Sequence, residues 1–144
     1  MESDFYKEFE NNFRGSREQI MNVLSNYDGL IDYILKIDKH PSLLDIGSGR
    51  GEWIQKCTEM GFKSLGIELN SQMVNDCRSL NLNVKEGDAL SLLDDFFKNS
   101  FSIVSAFHVI EHMNHQDIEQ LLVKCKRILK PEGLLIIETP SIDN

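Results

Sequence analysis

The sequence predicts an α/β fold in which helices cover both faces of a central, mostly parallel sheet of about five strands. Three observations predict it. Short, continuous apolar runs recur along the chain, as in strands that are buried on both faces. Segments with helical periodicity lie between these runs, and such alternation forms right-handed crossovers and a parallel sheet. A length of 144 residues fits one domain with a single core.

Helices are expected before the first strand. Residues 1–13 carry phenylalanines at every fourth position, which predicts a short amphipathic helix. Ser16 and Gln19 fit a capping box that opens a second helix. The Asp-Gly pair at 28–29 is expected to bend or split this helix.

Five apolar runs that end in turn signals are the predicted strands. The fourth of them ends at a proline, and the fifth is the weakest pattern. The first four lie at 42–47, 64–68, 101–107 and 133–140, and the weaker fifth lies at 82–88.

Further helices are predicted between these runs. The segment "EWIQKCTEM" follows the first run, and Asn70 is a predicted N-cap of the helix after the second. The apolar stripe of that second helix is Met73, Val74, Cys77 and Leu80. The strongest helical pattern is "QDIEQLLVKCKRILKPEG", residues 116–133, which we expect Pro131 to terminate.

Composition and charge restrict the classes of function. The net charge of −8 argues against a general affinity for nucleic-acid phosphates. No apolar run approaches the roughly 20 residues that cross a bilayer, and the first residues lack a signal-peptide pattern, so a cytoplasmic location without membrane insertion is expected. Cys57, Cys77 and Cys125 lie far apart, and reduced, buried thiols are the expected state.

The segment "LLDIGSGRGEW", residues 43–53, predicts a glycine-rich turn at the end of the first strand. It is not a P-loop, because Arg-Gly-Glu stands where Gly-Lys-Ser/Thr is required. The glycine spacing also differs from the dinucleotide fingerprint, since position 52 is a glutamate. The pattern suits a ligand that lacks phosphates and carries a positive group near Asp45.

Two more carboxylates follow the next two strands. Glu68 ends the second run and can accept both hydroxyls of a ribose, although an NAD site would use the same device. Asp88 ends the run at 82–88, the third predicted strand along the chain. It can accept a hydrogen bond from an exocyclic amine such as that of adenine, with Ala89 and Leu90 beside the ring of that base. Each acid alone is also compatible with a helix cap.

The set "LLDIGSGRGEW", "GIELN", "EGDAL", "FHVIEHM" and "ILKPEGLLIIETPS" resembles class I S-adenosylmethionine-dependent methyltransferases, a Rossmann-like family, over residues 42 to about 141. The resemblance implies that the glycine loop lines the methionine and ribose portions of the cofactor. It also implies that Glu68 holds the ribose, Asp88 the adenine amine, and Asp45 the methionine amino group. The implied cofactor-binding residues are Arg14, Asp45, Gly47, Ser48, Gly49, Gly51, Glu68, Leu69, Asp88, Ala89, Leu90, Phe107 and His108.

The segment "HVIEH", residues 108–112, matches the H-x-x-E-H zinc-protease signature. Such a site needs the motif inside a helix and a third ligand downstream, whereas this one directly follows a predicted strand, so no metal site is expected. We expect His108 to lie against the cofactor and His112 on the acceptor side. Either histidine is a candidate general base for a hydroxyl acceptor, or a capping or positioning group.

A narrower resemblance concerns the acceptor. "FRGSREQI" and "IIETPS" resemble methyltransferases of bacterial surface-polysaccharide (O-antigen type) synthesis, which implies a sugar or glycan hydroxyl or phosphate as acceptor. It also implies that Arg14 or Arg17 reaches the cofactor carboxylate. The expected division is a helical segment, 1–40, that covers the cofactor site, and a methyltransferase domain, 41–144.

Alternatives to this function stay open from the sequence. One is a non-catalytic module that binds S-adenosylmethionine or its product S-adenosylhomocysteine, or a truncated fragment, and a less favoured one is an NAD-linked oxidoreductase. The family's C-terminal antiparallel hairpin does not follow the fifth strand in this sequence. Either the sequence is a fragment of a longer polypeptide, or it is a small domain with an exposed sheet edge through which it self-associates.

Overall fold

The computed structural model describes residues 15–140, which form one parallel five-stranded sheet with helices on both faces. The strand order is β3-β2-β1-β4-β5, and every neighbouring pair is parallel. The fold class predicted from the sequence is therefore confirmed. The strands are β1 Ser42–Ile46, β2 Lys63–Glu68, β3 Val84–Glu86, β4 Phe101–Phe107 and β5 Leu129–Glu138.

Six α-helices connect or precede these strands within the described range. They are α1 Arg17–Leu24, α2 Asp28–Ile37, α3 Glu52–Glu59, α4 Ser71–Ser79, α5 Ala89–Leu92 and α6 His115–Ile128. Short 3₁₀ turns lie at Ser25–Tyr27, Leu93–Asp95 and Ile110–His112. With 14 residues, α6 is the longest of these helices, and none of them is long and apolar enough to traverse a bilayer.

The caps predicted for two helices are present. Ser16 and Gln19 form a reciprocal capping box at the start of α1, and the side chain of Asn70 accepts a hydrogen bond from Met73 N at the start of α4. The break predicted at the Asp-Gly pair falls just before it, in the 3₁₀ turn Ser25–Tyr27. The helix predicted over residues 1–13 lies outside the described residues.

The predicted end of the last helix was wrong. The helix α6 ends at Ile128, and Leu129 already has extended backbone and pairs with Phe101 of β4. A residue that precedes a proline is disfavoured in helical conformation, so Pro131 disfavours helix at Lys130 as well as at its own position. The strand β5 therefore begins four residues earlier than the apolar run at 133 indicated, and its register shifts between Phe101 and Ile103.

Alternate residues of the central strands point to opposite layers. On one face, Leu44 and Val104 pack against Leu121 and Cys125 of α6. On the other face, Leu43 and Ile103 pack against α1, α2 and α3. The three cysteines are free and buried, as predicted. Leu80 was wrongly assigned to the buried stripe of α4, since it lies past the helix end and is 51% exposed.

The chain reverses its direction of sheet growth between β1 and β4. β2 and β3 add on one side of β1, and β4 and β5 add on the other. In open parallel sheets, ligands bind outside the carboxyl ends of the strands at such a reversal. The residues that follow β1, β2, β3 and β4 therefore surround the expected site.

Candidate functional site

Two adjoining cavities open at the carboxyl ends of the strands. The larger has a volume of about 590 Å³ and is lined by residues that end or follow β1, β2, β3 and β4. The smaller, about 150 Å³, lies between the ends of β1, β4 and β5 and the helix α1. Both are lined by Gly47, Phe107 and His108, so these residues separate two parts of one cleft.

The glycine loop after β1 is fixed by backbone hydrogen bonds to the neighbouring strand. Gly47 N and Ser48 N both donate to the carbonyl oxygen of Ile67, at 2.8 and 3.0 Å. Gly47 has φ +70°, and a Cβ there would lie 2.7 Å from Cγ2 of Val109. The turn therefore needs glycine both for its backbone conformation and for the close approach of Val109.

Glu68 joins the loop to the helix that follows β2. Its Oε1 accepts a hydrogen bond from Gly49 N at 2.7 Å, and its Oε2 accepts one from Asn70 N at 2.8 Å. The side chain also lines the larger cavity. Because each carboxylate oxygen has two lone pairs, both can accept a further hydrogen bond from a ligand hydroxyl.

Asp88 is a helix cap that also lines the larger cavity. Its Oδ2 accepts hydrogen bonds from the backbone and hydroxyl of Ser91, each at 3.2 Å, at the start of α5. The cap that its sequence position allowed is therefore present, and the same residue borders the cavity. Leu69, Ala89 and Leu90 line the same cavity and supply apolar surface for a ring.

Asp45 is held by a buried chain of hydrogen bonds. Its Oδ1 accepts a 2.8 Å bond from Ser105 Oγ, which in turn accepts a 3.0 Å bond from Nε1 of Trp53. Asp45 is 3% exposed and lines the smaller cavity. Sequence analysis missed Ser105 and Trp53, and the only signal for Ser105 is a hydroxyl within the apolar run "FSIVSAF".

Three aromatic rings pack together beside the smaller cavity, and two of them, Trp53 and Phe107, line it. The centroids of Tyr27, Trp53 and Phe107 are mutually 5.5 Å apart. The hydroxyl of Tyr27 donates to Oε2 of Glu138 at 2.9 Å. Burial, then this bond and the charge of Glu138, raise the pKa of Tyr27 to about 12. Glu138 was also missed, although its signal is an acid near the end of the apolar run at 133–140.

The H-x-x-E-H segment begins at a strand end and continues in a single 3₁₀ turn, not in an α-helix. His108 has φ +58°, and its backbone N donates to the carbonyl oxygen of Glu138 at 2.7 Å. The side chain of His112 is 78% exposed, and its Nε2 lies 3.6 Å from Oε1 of Glu111. Both histidines line the larger cavity. Across residues 15–140, no three His, Cys, Asp or Glu side chains are grouped to hold a metal ion.

The arginines near the loop have structural contacts. Arg14 lies outside the described residues. Arg17 donates from Nη1 to the carbonyl oxygen of Arg50 and from Nε to Oε1 of Gln55, both at 2.7 Å, and it lines neither cavity. The guanidinium of Arg50 forms a 2.8 Å ion pair with the buried Glu52. These contacts fix α1 against the loop and α3.

Among residues 15–140, no lysine or arginine lines either cavity. The side chains that do line them include six carboxylates, which would repel the charges of a pyrophosphate. A nucleoside that carries ammonium and sulfonium groups fits this lining, because carboxylates stabilise both charges. The acidic lining residues are Asp45, Glu52, Glu68, Asp88, Asp117 and Glu138.

Comparison with known proteins identifies methyltransferases as similar to this chain. The profile of a family described as "Methyltransferase domain" matches residues 44–137. A demethylmenaquinone methyltransferase of Chlorobaculum parvum is 27% identical over 106 residues, which are 73% of this chain and 43% of that protein. A phosphoethanolamine N-methyltransferase of Plasmodium falciparum is 29% identical over 108 residues, 72% of this chain and 40% of that protein.

A solved structure supports the match. The crystal structure of a SAM-dependent methyltransferase from Archaeoglobus fulgidus aligns with a TM-score of 0.84 and 33% identity over 96% of this chain and 59% of that one. The chain thus spans about two fifths of the length of the curated relatives it matches. Since the family profile covers well over half of its residues, the chain belongs to the methyltransferase domain family.

Proposed function

We propose that this protein binds S-adenosylmethionine in the cleft and transfers its methyl group to a small-molecule acceptor. The observation that carries the proposal is the set of carboxylates at successive strand ends, which line both cavities without a lysine or arginine from the described part of the chain. A dinucleotide-linked oxidoreductase is disfavoured by the same observation. In this proposal Glu68 accepts the ribose hydroxyls, Asp88 accepts from the adenine amine, and Asp45 accepts from the methionine ammonium.

The cofactor supplies an electrophilic methyl group on a sulfonium when it is bound. The residues of this chain orient it and exclude water, and alignment provides most of the acceleration in such a displacement. Phe107 and His108 line both parts of the cleft, so they are the side chains we assign to the boundary between cofactor and acceptor. A base is needed only when the acceptor must lose a proton, and His108 or His112 is proposed for it.

The acceptor class is the less determined half of the proposal. Relatives are named for demethylmenaquinone, for ubiquinone biosynthesis with O-methylation, and for phosphoethanolamine with N-methylation. These names span several acceptor chemistries and select none of them for this chain. A sugar or glycan hydroxyl or phosphate stays our prediction on the sequence resemblance alone.

Calorimetry with S-adenosylhomocysteine tests the binding half. We expect Glu68→Gln to weaken binding by at least about tenfold, because loss of charge-assisted hydrogen bonds costs roughly 1.5–3 kcal/mol. The matched control is Glu119→Gln, an exposed residue of α6 outside both cavities. Equal affinities of the wild type and Glu68→Gln, with both folded, would contradict the assignment.

The catalytic half is tested by turnover. Formation of S-adenosylhomocysteine from S-adenosylmethionine is measured with panels of hydroxyl, phosphate, amine and quinol acceptors. Acceptor-dependent product supports an enzyme. Tight cofactor binding without product from any acceptor would instead favour the binding module, and NADH binding in a fluorescence titration would favour the oxidoreductase.

A further inference from the structure

A second large cavity lies at the amino ends of the strands, on the side of the sheet away from the cleft. Its volume is about 550 Å³, close to that of the larger part of the cleft. It shares no lining residue with either part of the cleft. The residues that line it are Ser42, Lys63, Ser64, Leu65, Arg78, Leu82, Asn83, Val84, Phe96, Ser100 and Phe101.

The cavity results from the shortness of β3. The register pairs Gly66 of β2 with Val84, the first residue of β3, so residues 63–65 have no partner in β3. Lys63 N donates toward β1, to the carbonyl oxygen of Pro41, whereas Gly66 N donates toward β3, to the carbonyl oxygen of Asn83. Successive residues of a strand direct their backbone N–H and C=O groups to opposite sides. The N–H and C=O groups of Ser64 therefore point to the side where β3 is missing.

Ser64 supplies an observation that points to a ligand. It is 5% exposed, and its Oγ has no hydrogen-bond partner among residues 15–140. A buried hydroxyl without a partner is destabilising by about 1–3 kcal/mol, and such groups are rare in folded proteins. Since Ser64 is one of the residues that line this cavity, a ligand bound there is a candidate partner for the hydroxyl.

The charge of this cavity is opposite to that of the cleft. Lys63 and Arg78 are the only charged residues of the range 15–140 that line it, in a chain of net charge −8. Arg78 is held at the rim by a 3.1 Å bond from Nη2 to the carbonyl oxygen of Val84, and it retains further N–H donors. The ammonium group of Lys63 forms no ion pair within residues 15–140.

Apolar side chains supply the rest of the wall. The rings of Phe96 and Phe101 meet edge to face with centroids 5.2 Å apart, and Leu65, Leu82 and Val84 line the cavity beside them. A pocket of a few hundred Å³ with an apolar wall and a few polar groups is the usual form of a small-molecule site.

We propose that this cavity is a second ligand site, for a small organic anion with an aromatic or branched apolar body. The anionic group binds Lys63, Arg78 and the hydroxyl of Ser64, and the apolar body packs against Phe96 and Phe101. The site does not depend on the proposed methyl transfer, and its ligand differs in charge from the one proposed for the cleft.

Titration of the ¹⁵N-labelled chain with benzoate, followed by amide chemical shifts, tests this site. We expect saturable shifts in residues 63–65, 82–84 and 100–101, and none in residues 47–51. Benzylamine, which has the ring with the opposite charge, and inorganic phosphate, which has the charge without the ring, should not reproduce them. Equal shifts with either probe, shifts centred on residues 47–51, or no saturable shift would overturn the proposal.

Variants separate the site from a surface effect. Lys63→Glu and Arg78→Gln should each weaken benzoate binding at least about tenfold, the effect of losing a charge-assisted contact. Lys36→Glu, on the exposed side of α2, is the matched control and should leave it unchanged. Ser64→Ala should fold at least as stably as the wild type and bind benzoate several-fold more weakly. Unchanged binding in all three cavity variants would contradict the proposal.

Discussion

At the scale of single residues, the position of the Asp45 carboxylate depends on Ser105. The register of β1 and β4 places these residues opposite each other, and both are buried. The hydroxyl of Ser105 donates to Asp45 and accepts from the indole of Trp53, which lies in the first turn of the helix after the glycine loop. One side chain therefore connects the end of β1, the middle of β4 and the first turn of α3.

Replacement of Ser105 by alanine removes this connection. We expect Ser105→Ala to lower the free energy of unfolding by about 1–3 kcal/mol, because the indole N–H loses its acceptor and Asp45 loses a donor in a buried place. On the proposed function, it should also weaken binding of S-adenosylhomocysteine. Urea denaturation and calorimetry measure the two effects.

Ser79→Ala provides the comparison for this prediction. Ser79 is exposed, and its hydroxyl bonds only within α4, to the carbonyl oxygen of Asn75 at 2.9 Å. Its replacement should change the stability by no more than about 0.5 kcal/mol. A Ser105→Ala variant as stable as Ser79→Ala would show that the hydrogen-bond chain contributes nothing.

Candidate site residues were predictable where the chemistry is local in sequence. Asp45, Glu68 and Asp88 each lie at or near the end of a predicted strand, so their placement at one edge of a parallel sheet can be inferred from the strand pattern alone. Ser105 and Glu138 were not predictable in the same way. Their roles depend on partners 60 and 111 residues away, which only the strand order and register bring together.

At the scale of the elements, Asp38 ties the end of α2 to two strands. Its Oδ2 accepts from the hydroxyl of Ser102 in β4 and from Nζ of Lys130 in β5, the latter at 2.8 Å. Its Oδ1 accepts from His40 N at 2.9 Å. Burial acts to raise the pKa of Asp38, but these bonds and the charge of Lys130 outweigh it and lower the pKa to about 2.

The hydrogen bonds of the Asp38 carboxylate predict an acid-sensitive contribution to the free energy of unfolding. Because the pKa of Asp38 is lower in the folded chain, the contribution is complete above the ordinary pKa of 3.8 and is lost as the pH falls toward about 2. In Lys130→Met the pKa rises toward its ordinary value. The variant should therefore lose less stability than the wild type between pH 5 and pH 2.5, by on the order of 1 kcal/mol in this partly solvated pair.

Urea denaturation at both pH values measures this difference. Lys126→Met, which removes an exposed cation of α6, is the control and should follow the wild type. The prediction fails if Lys130→Met and Lys126→Met lose stability in parallel over this range.

Element ends were harder to predict than the elements themselves. The strands at 42–46, 63–68 and 101–107 match the apolar runs within a residue or two, since a buried parallel strand has few polar positions. The last helix and strand were not separated correctly, because Leu129 continues the helical stripe while the backbone restriction before Pro131 already favours extended structure. At Leu129, periodicity therefore predicts helix, whereas backbone sterics favour the extended strand that the structure shows.

At the scale of the whole molecule, charge is distributed between the two ends of the sheet. Carboxylates line the cavities at the carboxyl ends, whereas the cavity at the amino ends is lined, as far as the structure describes the chain, by two cations and no acid. The total charge can be read from the sequence, but this division cannot. It depends on which loops the fold places at each end of the sheet. A net charge of −8 therefore describes neither surface well.

The acidic cleft predicts a salt-dependent preference between cofactor and product. S-adenosylmethionine carries one more positive charge than S-adenosylhomocysteine, so the carboxylates should attract it more strongly at low ionic strength. Raising NaCl from about 0.03 M to about 0.3 M should weaken its binding by the larger factor, because screening shortens the reach of these charges. Calorimetry of both ligands at both concentrations tests this, and identical salt dependences would count against an electrostatic role for the cleft.

The hydrogen-bonded indole beside the cleft has a practical consequence. Trp53 is the only tryptophan in the sequence, it is 3% exposed, and its ring contacts Phe107, which lines both parts of the cleft. Its fluorescence emission therefore arises from a single, dry position next to the site. The fluorescence of Trp53 can therefore be used to follow ligands that bind in the cleft, and no dye or label has to be attached.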